Sequence, residues 1–151
     1  ERAIFFAKGV VETVKKLNWV PDIIHVHGWM ASLLPIYLKH YYKNEGIFNE
    51  TKIVTSVYNQ SFDGELDKNL INKMLFDEIP EASISELKSP NYENMLMASI
   101  NHSDALVIAS EDLPSSLTKY IESSKKPFLP FASKENFNEV YTDFLKNKVL
   151  K

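Results

Sequence analysis

The sequence predicts an α/β fold, a Rossmann-like parallel sheet with helices on both faces. Three observations carry this. The runs Ile23–His27, Lys52–Val57 and Asp104–Ala109 are short, mostly aliphatic and without clean alternation, as strands buried on both faces are. Amphipathic stretches with helical spacing separate them. Strand and helix recur in turn, and parallel neighbours need such crossovers. With 151 residues the chain has the size of one domain, and 1–151 reads as a single unit.

Each element has its own warrant. Over 2–18, Ala3, Ala7, Val10, Val14 and Leu17 recur at helical spacing opposite Lys8, Glu12, Lys15 and Lys16. Pro21-Asp22 breaks that pattern, and the first strand ends at Gly28. Trp29 to Tyr42 reads as one helix with Leu33, Leu34, Tyr37 and Leu38 inward and a kink at Pro35. After the second strand, Asp63-Gly64 is a turn signal. Leu66, Leu70 and Met74 then begin a helix, and residues 77–90 read as irregular. Ser89-Pro90 predicts a cap and first turn for a helix burying Met95, Leu96, Ser99 and Ile100. Ser110 is expected to cap a helix striped by Leu113, Leu117, Tyr120 and Ile121. Residues 127–131 predict an edge strand, since prolines near both ends forbid a full ladder. Ser133 is expected to cap a terminal helix over 132–151, with Phe137, Val140, Tyr141, Phe144 and Leu145 on one face.

Composition removes several functions. Seventeen Lys and Arg against twenty Asp and Glu give a net charge of −3 and no broad basic footprint, so nucleic acid is not an expected partner. With zero Cys there is no disulfide, thiolate nucleophile or Cys-ligated metal. That usage suits a cytoplasmic protein. No apolar run is long enough to span a bilayer, and no membrane association is expected. Gly9, Gly28, Gly46 and Gly64 stand far apart, so neither a P-loop nor a G-x-G-x-x-G turn exists here.

Ligands of parallel sheets sit at the carboxyl ends of the strands. The candidate site residues are therefore His27, Gly28, Trp29, Tyr58, Asn59, Ser110 and Glu111. His25 and His27 share a strand face at a spacing that can chelate zinc, but no third ligand offers itself. His25 reads as a satisfied mid-strand residue, and His27 as the better ligand contact. Trp29 reads first as a packing residue and only second as a stacking surface. Tyr58-Asn59 can present a phenol and an amide to a sugar or phosphate, or can simply be turn chemistry. Ser110-Glu111 reads first as a helix start whose amides attract anions. No paired carboxylates or Ser/His/Asp order marks a catalytic set.

These segments resemble the bacterial glycogen synthase and plant starch synthase family, glycosyltransferase family 5. The resemblance rests on Pro21-Asp22-Ile23-Ile24-His25-Val26-His27-Gly28-Trp29, against the family's P-D-I-I-H-x-H-D-W. Pro35 and Tyr37-Leu38 match the helix that follows. Thr55-Ser56-Val57-Tyr58-Asn59 stands where the family has T-x-H-N, and Ser103-Asp104 to Ser110 where it has A-D-x-V-x-x-x-S. The likeness covers about 1–122.

The resemblance implies the acceptor-side half of a GT-B glycosyltransferase. Its family transfers glucose from ADP-glucose to an α-1,4-glucan, without metal or cofactor. It implies a glucan or maltooligosaccharide as partner. It also implies a donor domain, in a longer chain or in a partner, or a homo-oligomer. Two departures fall in the cleft. The family's Asp is Gly28 and its donor-contacting His is Tyr58. The family's Lys- and Gly-containing loop and its connection into the second domain have no counterpart in these residues. The expectation is a non-catalytic relative. The alternatives are an active fragment or subunit needing a donor domain, and an unrelated glucan- or nucleotide-binding module.

Overall fold

A computed structural model describes residues 1–151. Helix α1 spans Arg2–Lys16 and strand β1 Ile23–His27. Helix α2 covers Leu34–Lys39, and β2 covers Lys52–Val57. Helices α3 (Asn69–Phe76) and α4 (Tyr92–His102) precede β3 (Ala105–Ile108). Helix α5 (Ser115–Ser123), β4 (Phe128–Leu129) and α6 (Phe137–Phe144) complete the chain, with a π-helical turn at Leu145–Val149. No helix is long and apolar enough to cross a membrane.

The sheet is parallel throughout, in the order β1-β2-β3-β4. Successive crossovers in one direction, all right-handed, place their helices on one face. On that face α1 to α4 form the larger core around Ala7, Val26, Ile36, Tyr37, Met74 and Met95. Leu106, Leu96, Leu117 and Ile121 extend the core beneath α5. The second face carries Val54, Ala105 and Val107, covered by Phe144 and Val149 from the terminal helix. The α/β expectation with helices on both faces therefore holds, with α6 alone on the second.

Several boundaries differ from the sequence reading. Trp29–Tyr42 is not one helix: a 3-10 turn at Trp29–Ala31 precedes α2. Pro35 has no N–H to return to the Ala31 carbonyl, so the i to i−4 ladder cannot run through it. Leu17 is exposed, and Ala3, Ala7 and Val11 form the buried stripe of α1. Leu66 lies ahead of α3, donating its N–H to the Pro90 carbonyl. Residues 81–88 form 3-10 turns that bury Ile84 and Leu87. The cap of α4 is Asn91, whose side-chain oxygen accepts from the Asn94 N–H. Ser89 lies outside that helix because Asn91 itself is still extended. Helix α6 follows Asn136, and Ser133 merely closes a turn by accepting from the Asn136 N–H.

Polar groups fix the register. Asp104 accepts from the Ile53 N–H at 2.8 Å and returns its own N–H to the Ile53 carbonyl. It thus continues the ladder where β2 begins. Thr55, buried, bonds Ser103 at 2.7 Å and ties β2 to the end of α4. β4 stops at two residues because Pro130 brings no donor, while the Pro127 carbonyl still accepts from the Leu106 N–H.

Candidate functional site

The carboxyl ends of β1, β2 and β3 meet at one edge, as the parallel register demands. His27 pairs with Ser56, and Val57 with Ile108. His27 and Tyr58 come together directly, with the Tyr58 hydroxyl 2.8 Å from His27 Nδ1. The Tyr58 carbonyl accepts from the Tyr92 hydroxyl, and the same hydroxyl receives the Gln60 N–H at 3.3 Å. Tyr58 is thereby pinned at both ends.

Asn59 joins the next strand. Its N–H donates to Ser110 Oγ at 2.9 Å, and its amide donates to the Asp112 carbonyl and carboxylate at 3.1 and 3.0 Å. Ser110 does not cap α5. That helix starts at Ser115 after Pro114, so the anion-attracting helix start expected at Ser110-Glu111 is absent there. Ser110 is committed to Asn59 instead, and Glu111 is exposed and stands apart from the cluster.

Gly28 holds φ +72° and ψ 164°, a conformation nearly reserved for glycine. A Cβ there would meet nothing within 4 Å, so backbone strain rather than space excludes other residues. Gly28→Asp should lower stability by about 1–3 kcal/mol. A urea midpoint equal to that of the parent would show that the turn relaxes.

Trp29 is half-buried and meets Phe62 edge-on at 4.9 Å. It also lines a cavity of about 320 Å³ with Arg2, Asp67 and Lys73. Trp29 therefore both packs against Phe62 and faces a cavity. The largest concavity, about 1430 Å³, lies elsewhere, along α1 beside Phe5, Phe6 and Phe76. Its surface is mostly apolar, with Arg2, Lys8, Lys73 and Asp77 also on its lining.

His25 is satisfied, as its mid-strand place suggested. Its Nε2 lies 2.8 Å from Ser56 Oγ, and its Nδ1 faces the Tyr141 hydroxyl. Burial, then neighbouring His27, pushes its pKa down to about 4. Burial also lowers that of His27. The two rings lie 3.9 Å apart, and no group of three or more His, Cys, Asp or Glu side chains converges on one point. Asp112, Tyr92, Ser56 and Tyr141 were not legible as site residues. Tyr141 sits in a stripe that reads equally as core, and Asp112 carries no spacing signal.

The assembled groups suit a neutral polyol: an imidazole, a phenol, an indole and amide edges, with no carboxylate pair. Residues 1–121 match the family of the starch synthase catalytic domain. The glycogen synthase of Chlorobium limicola is 38% identical over 110 residues, 73% of this chain and 22% of the relative. That of Chlorobium phaeobacteroides is 39% identical over 112 residues, 74% and 22%. That of Clostridium perfringens is 29% identical over 111 residues, 74% and 23%. The chain spans roughly a fifth to a quarter of the length of these relatives. No solved structure matches it.

Proposed function

The chain belongs to the starch synthase catalytic domain family, and from that premise we propose that it is a glucan-binding, non-transferring relative, a cytoplasmic pseudoenzyme built on the acceptor-side half of a GT-B transferase. An α-1,4-glucan or maltooligosaccharide occupies the strand ends, against His27, Trp29, Tyr58 and Asn59. A donor domain or a second copy of the chain is the companion the family pattern implies.

One observation carries the reading. The Tyr58 phenol closes across to His27 where the family pattern has an imidazole that contacts donor glucose. Gly28 beside it supplies no carboxylate. The strand ends keep groups that recognise hydroxyls, and offer a glycine and a phenol where the family pattern has a carboxylate and an imidazole.

Maltoheptaose titrated into the protein should bind without turnover, and Trp29→Ala should weaken binding about tenfold, the loss of one stacking platform. Trp29→Phe keeps the contact with Phe62 and controls for packing. Equal affinity in Trp29→Ala would assign Trp29 to the core alone. Glucose incorporation from ADP-glucose by the purified protein would overturn the non-transferring part.

A further inference from the structure

Helix α6 lies beyond the family-matching residues 1–121, yet it reaches the candidate site. Phe137 stacks on Tyr141 at 5.2 Å, Tyr141 on His25 at 5.3 Å, and His25 lies 3.9 Å from His27. The two imidazoles share one arrangement. Each has a tyrosine hydroxyl at Nδ1: Tyr141 for His25 and Tyr58 for His27. His25 Nε2 is taken by Ser56, whereas His27 Nε2 makes no hydrogen bond within the chain.

We infer that Tyr58 and Tyr141 are paired positioning residues that hold His27 and His25 as Nε2–H tautomers, so that His27 presents a donor to an acceptor oxygen of the bound sugar. The identity of the ligand rests on the glucan reading; the tautomers do not. A phenol is a more acidic hydroxyl than that of serine, so at His25 the Tyr141 O–H donates to Nδ1 and Nε2–H donates to Ser56. At His27 the Tyr58 O–H has one acceptor within the chain, the Nδ1 lone pair. That leaves the proton on Nε2 of an exposed ring, with no partner within the chain. Burial keeps the Tyr141 phenol protonated, with the Tyr58 phenol adding to the effect. The device parallels the way a hydrogen bond on one ring nitrogen fixes what the other nitrogen can do.

Long-range ¹H–¹⁵N correlation of the histidine side chains near neutral pH tests this on the whole chain. Both rings should appear as single Nε2–H tautomers. Tyr58→Phe should give His27 a second, detectable tautomer and leave His25 unchanged, and Tyr141→Phe should do the reverse. A wild-type His27 in the Nδ1–H form, a mixture in the wild type, or indifference of both rings to both substitutions would overturn the inference. The wild-type spectrum decides even where a variant folds poorly. Maltoheptaose added to the same samples separates the two ideas. The expected tautomers with no sugar-induced shift at His27 would refute the glucan reading and leave the positioning pair intact.

Discussion

Between pH 6.5 and pH 4 the chain should lose stability steeply, before its ordinary carboxylates have finished titrating. All four histidines contribute, His27 through burial that lowers its pKa. His25 has its folded-state pKa pushed down to about 4 by burial, then by His27, against 6.5 when exposed. His40 is lowered by burial, then by His102 and Lys43. His102 is lowered chiefly by burial, while the Ala98 carbonyl opposes the shift. In each case the unfolded chain binds more protons through the interval, so stability is full above about pH 6.5 and falls as pH drops toward the folded values. His25, partly open to solvent, should account for on the order of 2 kcal/mol.

His40 and His102 act as a pair. Their Nε2 atoms lie 3.1 Å apart, and His102 Nδ1 donates to the Ala98 carbonyl. The His102 Nε2 is therefore the acceptor and His40 Nε2–H the donor. A second proton would set two donors face to face, with Lys39, Lys43 and Lys126 nearby and Glu86 opposing. Urea midpoints measured from pH 7.5 to 4 should fall, and His25→Gln and His102→Gln should each flatten the profile. A profile as flat in the parent as in the variants would contradict the assigned burial.

Asp77→Ala should cost about 3 kcal/mol, among the largest effects of any single polar substitution here. Asp77 receives the Tyr37 hydroxyl and Lys8 Nζ, each at 2.6 Å. Tyr37 is fully buried in the main core, and Lys8 also lies over the Tyr37 and Tyr41 rings. Burial, then Asp77, holds the Tyr37 phenol protonated, so it remains a donor. Removing the carboxylate strands a buried hydroxyl and an ammonium together. Tyr37→Phe removes the hydroxyl and keeps the Lys8–Asp77 pair, so it should cost much less. Equal losses in the two variants would show that the Tyr37 hydroxyl alone accounts for the effect and that the Lys8–Asp77 pair adds nothing.

The strands were readable because burial on both faces leaves an aliphatic mark. Ile23–His27 and Lys52–Val57 appear with the bounds the sequence suggested. Helix starts were less readable. Ser110 and Ser133 precede apolar stripes, yet a serine caps only where the chain turns beside it, and the Asn59 N–H had claimed Ser110. The strand-end site was legible as three segments, because parallel topology alone puts them at one edge. Its cross-links were not. Tyr141 is 116 residues from His25 in sequence, and helical periodicity cannot tell a core tyrosine from one that faces an imidazole.

Where a sugar binds decides the function of the strand ends. Backbone and side-chain NMR shifts recorded while maltoheptaose is added to the whole chain give the direct test. Saturable shifts should cluster at His27, Trp29, Tyr58 and Asn59, with no product formed when ADP-glucose is present. Shifts gathered instead along α1 at Phe5, Phe6 and Phe76, or none at all, would contradict binding at the strand ends.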